Sequence, residues 1–305
     1  MGLTLGLRYS HDEKDYVYTA TTNSPLPLTP FDFSETDTLT FSSTDPRVTL
    51  DYQMTESVLA YATYASGYKS GGVQYGVFVP GVGLAFGGDG YGFDKEELEM
   101  FEVGIKSRLM NDRIQLNSAL FQYDYTNQQV QSVVIIDGVA NGLTQNAGES
   151  TMNGFELELV ALLTDQLQIN ASYSYLDAEY DKFDSATGSL AGNKMIRSPE
   201  NAYNIGLQFD TAIGDFGDLQ LMANYSWKDE FYFDFANTPG TIQDSYGLVA
   251  LNAIWRLPNQ ATSLRLFCEN CSDEEYALEK LQFPSGTAES YAPLRRYGIE
   301  IAHNF

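Results

Sequence analysis

Apolar and polar residues alternate along most of this chain with a period of two. Leu3, Leu5, Leu7 and Tyr9 alternate with Gly2, Thr4, Gly6 and Arg8. Val48, Leu50, Tyr52 and Met54 do so with Arg47, Thr49, Asp51 and Gln53. The same pattern runs through Phe101, Val103 and Ile105, through Phe155, Leu157 and Leu159, and through Leu167, Ile169, Ala171, Tyr173 and Tyr175. It returns in Tyr203–Phe209, Leu219–Trp227 and Tyr297–Ile301. A helix would repeat its apolar stripe every three or four residues. Strict alternation predicts strands with one apolar and one polar face. Two segments are less regular. In 58–66 small residues dominate both faces. In 113–126 the apolar face passes from Ile114, Leu116 and Leu120 to Phe121, Tyr123 and Tyr125, which predicts a β-bulge near Leu120.

The joints between strands come in two lengths, and the lengths alternate. Short ones fall at Thr55-Glu56, Asn111-Asp112, Thr164 to Gln166, Gly214 to Gly217 and Pro258-Asn259. Long ones cover about 19–44, 68–94, 136–145, 181–199, 234–244 and 271–293. This gives about twelve strands, the first near 2–18 and the last near 294–305. The fold class is therefore all-β, an antiparallel sheet. A soluble sandwich does not sort its loops by length onto opposite ends, whereas a transmembrane β-barrel does. In a barrel the polar face lines a wet interior, so Asp51, Glu102, Glu156 and Glu158 sit where charge is tolerated. Tyr9, Tyr175, Trp227, Trp255 and Tyr297 stand at strand ends, as interfacial girdles require.

Composition sharpens this picture. With 17 Lys+Arg against 41 Asp+Glu, the net charge is −24, the wrong sign for a nucleic-acid partner. The 43% of hydrophobic residues exclude a disordered tail. No stretch of 18 consecutive apolar residues predicts a membrane helix. The mean hydropathy of −0.25 is what a lipid face averaged with a wet face gives. On this reading the acid excess is divided between the polar face and loops such as 181–184, 229–234 and 273–275.

Several segments together resemble TonB-dependent outer-membrane receptors. They are GLRYSHDEKD (Gly6 to Asp15), YATYASGYKSGG (Tyr61 to Gly72), NAGESTMNGFELE (Asn146 to Glu158), RSPENAYNIGLQF (Arg197 to Phe209), ENCSDEEYAL (Glu269 to Leu278) and LRRYGIEIAHNF (Leu294 to Phe305). They occur in the family's order. The resemblance implies a barrel of about 22 strands, of which this chain looks like the C-terminal half. It also implies an N-terminal plug domain and a TonB box, neither of which is visible here, nor is a signal peptide. Residues 1–305 are thus expected to form a single partial barrel. The implied role is uptake of a scarce nutrient, such as a ferric siderophore, across the outer membrane of a Gram-negative bacterium. Energy would come from TonB acting on the plug, so residues 1–305 alone are expected not to perform energised uptake. Implied partners are outer-membrane lipid and lipopolysaccharide, the barrel-assembly machinery, the nutrient, and TonB through the plug only. The end of the last strand, with Tyr297, Ile299, Ile301 and Phe305 on one face, resembles the family's assembly signal.

Candidate ligand contacts lie in the long joints. The glycine-rich segment 67–92 and its border carry Tyr68, Lys69, Tyr75, Tyr91 and Phe93. The segment EFYFDF carries Phe231, Tyr232, Phe233 and Phe235. Aromatic side chains there could stack on an aromatic or sugar-like ligand, or pack on neighbouring loops. Cys268 and Cys271 fit a short-range disulfide in an oxidising compartment, with two free thiols as the alternative, and one such pair cannot complete a zinc site. No catalytic or metal-binding set emerges: GxSxG and Walker motifs are absent, and His11 and His303 stand at opposite ends of the chain. No cofactor is expected. Alternatives are a small passive pore of twelve strands and a soluble carbohydrate-binding β-sandwich.

Overall fold

The computed structural model describes residues 1–20, 33–73, 92–136, 139–146, 148–185, 188–283 and 285–304. Twelve strands form one antiparallel sheet in which each neighbour follows in chain order. They are β1 (Gly2–Ala20), β2 (Phe33–Thr55), β3 (Val58–Lys69), β6 (Glu96–Leu109), β7 (Ile114–Thr126) and β10 (Glu149–Leu162), then β11 (Leu167–Lys182), β14 (Asn201–Ala212), β15 (Asp218–Lys228), β18 (Tyr246–Arg256), β19 (Thr262–Glu269) and β22 (Arg296–His303). Five small hairpins rise from the long joints. They are β4 (Gly72–Val73) with β5 (Gly92–Phe93), β8 (Gln129–Ile136) with β9 (Val139–Asn146), β12 (Asp184–Ser185) with β13 (Gly188–Ser189), β16 (Phe231–Tyr232) with β17 (Ile242–Gln243), and β20 (Ala277–Phe283) with β21 (Gly286–Tyr291).

Local chemistry explains the short turns. Met110, Asn111 and Asp112 all take left-handed conformations, which Asn and Asp tolerate better than most residues. Thr164 Oγ accepts the N–H groups of Gln166 (3.2 Å) and Leu167 (3.0 Å). Asn259 Oδ1 accepts those of Ala261 and Thr262, both at 3.0 Å. These side chains close the turns without a longer loop.

Register carries the period-two pattern across the whole sheet. One row on the apolar face reads Leu3, Leu50, Ala62, Val103, Leu120, Phe155, Tyr175. Another reads Ile169, Leu207, Ala223, Leu251, Cys268, Tyr297. Among the described residues no second layer covers this face: Leu5 is 70% exposed and Ile299 is 70% exposed. So continuous an apolar surface is stable only against lipid or a large partner. That rules out the sandwich, whose apolar face would be buried. Among the described residues β1 pairs only with β2, and β22 only with β19. The twelve strands do not close on one another here, as a self-contained pore would require.

The structure corrects four expectations. The first is the bulge near Leu120: β7 keeps unbroken register with both β6 and β10. Phe121, Tyr123 and Tyr125 therefore belong to the polar face. Phe121 fits there because its partner is Gly154, where a Cβ would lie 2.1 Å from the Phe121 ring. Tyr61 covers Gly104 in the same way. Secondly, most of the joint expected at 19–44 is strand, because β2 begins at Phe33 and pairs with β1 up to Ala20. Its Thr-rich sequence has strand propensity but no apolar period. Thirdly, the joints expected at 136–145 and 271–293 contain paired strands.

The fourth correction concerns charge. On the polar face Asp51, Glu102, Glu156, Glu158, Asp210 and Glu300 share the surface with Arg47, Lys106, Arg108, Lys228, Arg256 and Arg265. The one-signed acids stand instead on the apolar-face side, above the apolar rows. Phe101 is followed upward by Glu99 and Glu97, Leu120 by Gln122 and Asp124, and Tyr175 by Asp177, Glu179 and Asp181. That change marks the upper limit of any hydrocarbon contact. Tyr9, Tyr175, Trp227, Trp255 and Tyr297 all lie on the apolar side, and the Trp255 indole donates to the Phe216 carbonyl at 2.7 Å.

Candidate ligand-facing surface

The long joints all rise from one end of the sheet, and they form two knitted groups. In the first, the upper β1–β2 hairpin bonds to the end of β3. Lys14 Nζ donates to Ser70 Oγ and to the Gly71 carbonyl, and it lies 5.6 Å over the Phe41 ring. The Tyr68 hydroxyl donates to the Asp12 carboxylate. Gln129 and Asn146, at the base of the β8–β9 hairpin, both donate to the Asp94 carbonyl at 3.0 Å. Phe93 packs against backbone: a Cβ on Gly72 would lie 2.8 Å from its ring. Lys69 is exposed. Tyr75 and Tyr91 lie outside the described residues, as does Phe305.

The second group has its own apolar core, built from Val130, Ala178, Tyr180, Phe183 and Met195, with Phe235 packed against it. Tyr180, Phe183 and Phe235 meet edge to face at 5.2–6.1 Å. Asn237, left-handed at φ 52°, ties two loops together. Its side chain accepts the Lys194 N–H at 2.7 Å and donates to the Lys194 carbonyl at 3.0 Å. Asp234 Oδ1 accepts Thr238 N–H (2.9 Å) and the fully buried Thr241 hydroxyl (2.8 Å). The Arg197 guanidinium stacks 4.9 Å from the Phe233 ring and pairs with Glu279 on the third loop.

The expected aromatic contacts of EFYFDF thus divide. Phe233 is 8% exposed and carries Arg197, and Phe235 packs on the loop core. Phe231 and Tyr232 remain half-exposed. Tyr180, Phe183 and Asn237 carry no motif in the sequence, and Arg197 enters there only as the start of a family-like segment. Only the turn-prone Asn-Thr-Pro-Gly at 237–240 offered a signal.

Tyr180 stands above the acid transition on β11. Burial pushes its pKa up to about 12. The phenol is held neutral, so its contribution to the loop core is complete below the ordinary value near 10. It is lost as pH rises from there through about 12. We expect phenolate absorbance to contain a late-titrating component of one tyrosine's size whose ionisation coincides with loop opening. Tyr180→Phe should remove that step.

Beneath the loops the polar face is a wall of satisfied side chains. Tyr61 donates to Glu102 at 2.7 Å, and Asn204 and Asn224 exchange amide hydrogen bonds at 3.0 and 2.9 Å. Gln208 and Gln220 both donate to Asp210. Arg265 spans Asn252 and Glu300. Among the described residues no group of three or more His, Cys, Asp or Glu could hold a metal ion. Such a wall offers many exchangeable polar contacts and no fixed ion cage.

Known proteins share this arrangement. The family model for the TonB dependent receptor-like β-barrel matches residues 2–271. A probable TonB-dependent siderophore receptor, PiuA of Acinetobacter baumannii, is 27% identical over 283 residues, covering 90% of this chain and 35% of PiuA. The metal-pseudopaline receptor CntO of Pseudomonas aeruginosa is 28% identical over 273 residues, covering 89% of this chain and 34% of CntO. The crystal structure of the ferric yersiniabactin uptake receptor FyuA from Yersinia pestis superposes with a TM-score of 0.82 at 18% identity. That match covers 99% of this chain and 43% of FyuA. The chain spans about a third of the length of these curated relatives. A sheet with one lipid-type face, one polar face and long loops at one end, matched over residues 2–271, belongs to the TonB-dependent receptor β-barrel family.

Proposed function

We propose that this chain is part of an outer-membrane barrel that takes up a metal chelate, of the ferric siderophore class, into a Gram-negative cell. The observation that carries the reading is the pairing of an uncovered apolar face with a polar face of amides and mixed charges. The first suits lipid and the second suits a wet transport path. The similarity to PiuA, CntO and FyuA, named as receptors for siderophores or metal complexes, supports the substrate class. The metal would arrive already chelated, as substrate, and meet hydrogen-bonding and aromatic groups. Half-exposed Phe231 and Tyr232, exposed Lys69, and Tyr68, Tyr75, Tyr91 and Phe93 are the proposed contacts. No covalent step is needed, so the role is transport and not catalysis. Energised uptake would require TonB acting through a plug-type domain, beyond what residues 1–305 supply. Lipid and lipopolysaccharide would surround the apolar face, and barrel-assembly machinery would insert it through Tyr297, Ile299, Ile301 and Phe305.

The test is radio-iron uptake in the source bacterium under iron limitation. Ferric hydroxamate, ferric catecholate and ferric citrate would be supplied separately to cells with and without the intact gene. Loss of uptake for one chelate, with the others unchanged, is the expected result. Equal uptake of all three in both strains would sink the reading.

A further inference from the structure

The chain leaves β19 through a turn that binds two neighbours, β18 and the start of β22. Leu251 of β18 stands opposite Cys268, so a continued ladder would place Asn270 opposite Val249. Instead the Cys271 N–H reaches the Val249 carbonyl, at 2.8 Å, one residue late. Asn270, left-handed at φ 47°, absorbs the extra residue. This is the displacement that a β-bulge produces, and it re-aims the chain that follows. Cys268 and Cys271 bracket that residue and are joined as a disulfide, with Cα atoms 5.6 Å apart.

Beyond the bulge, the turn takes hold of the last strand. Asp273, left-handed at φ 59°, accepts the Arg295 N–H at 3.0 Å and its guanidinium at 3.4 Å. Before the bulge, at the end of β19, Glu269 pairs across the ladder with the Arg296 guanidinium at 2.5 Å. Asn270 braces the turn from within, bonding the Glu274 N–H at 2.9 Å and the Glu274 carbonyl at 2.8 Å. Two left-handed non-glycine residues within a few positions are sparsely populated in an open chain. The Cys268–Cys271 ring closes across the first of them, Asn270, and removes competing conformations there. Among the described residues β22 pairs with the short β19, which the turn follows directly.

From this we infer that the Cys268–Cys271 disulfide is a redox-controlled latch on the last strand. Joined, it holds the one-residue bulge from which Asp273 reaches Arg295, and the start of β22 stays in register. Reduced, the turn relaxes and β22 frays from β19. The opening step is thiol–disulfide exchange with a dithiol. The reductant gives up two electrons and two protons, leaves as its own disulfide, and frees both cysteine thiols. A disulfide donor runs the same exchange in reverse and closes the latch.

The test is amide hydrogen exchange on the intact receptor that carries residues 1–305, purified in detergent micelles. Rates for 297–302 are compared with the internal reference strands β14 and β15, before and after dithiothreitol is added to the folded protein. We expect exchange in β22 to accelerate roughly tenfold or more on reduction, with the reference strands unmoved. Cys268→Ser/Cys271→Ser should show the fast rate with or without reductant. Asp273→Ala should show it with the disulfide intact. If reduction loosens only 269–273 and leaves β22 unchanged, the disulfide is a local staple and the latch is wrong. Alkylation of both thiols in the folded chain without prior reduction would also overturn it. Because reduction is applied after folding, neither outcome depends on a variant that refolds.

Discussion

Leu207→Arg is expected to cost about 2–4 kcal/mol of stability in a bilayer. Leu207 lies mid-strand in β14, on the apolar row between Ile169 and Ala223, and is 42% exposed. In water, exposing one more charge there would be neutral or favourable. In hydrocarbon the guanidinium must be desolvated or drag water and headgroups inward. The sign of the effect therefore reports what covers the face. Ser172→Arg is the control, because Ser172 stands on the polar face opposite Glu158. It should change stability by no more than about 0.5 kcal/mol. Urea unfolding of both variants in lipid vesicles measures the difference. Equal effects would mean that the two faces meet the same solvent.

Phe183→Ala should cost about 3–5 kcal/mol, confined to the loops. Phe183 is 1% exposed and contacts both Tyr180 and Phe235 edge to face. Its removal empties the centre of the loop core. We expect proteolysis within 183–200 and 229–245 to rise, while the sheet keeps its unfolding midpoint. Phe231→Ala provides the contrast. Phe231 is half-exposed and touches Phe233 at 5.2 Å, so its loss should leave the loops intact and weaken chelate uptake. If Phe231→Ala instead loosened the loops as much as Phe183→Ala does, the division into packing and contact residues would be wrong.

The sheet was legible in the sequence because a strand writes its two environments at alternate positions. Rows such as Leu207, Ala223 and Leu251 follow directly from that alternation. Where both environments are polar, the signal fails. The upper β1–β2 hairpin alternates Thr with Asp and Leu, so it read as loop although it is paired to Ala20 and Phe33. Phe121 misled for a different reason. An aromatic ring on a polar face is stable when a cross-strand glycine gives it a floor, and that partner lies far along the chain at Gly154. The loop core was illegible because Val130, Tyr180, Met195 and Phe235 come from four separate segments with no shared period. The acid excess was visible as a number, but only register shows that the polar face mixes signs while the apolar side's upper border is acidic.

The central claim is that one face of this sheet meets lipid and the other meets water. Spin labels placed singly from Leu219 to Lys228 along β15, in a bilayer, test it most directly. Accessibility to oxygen, which concentrates in lipid, should peak at positions 219, 221, 223, 225 and 227. Accessibility to a water-soluble nickel chelate should peak at the positions between them. Two profiles with the same phase, or no period at all, would contradict the account.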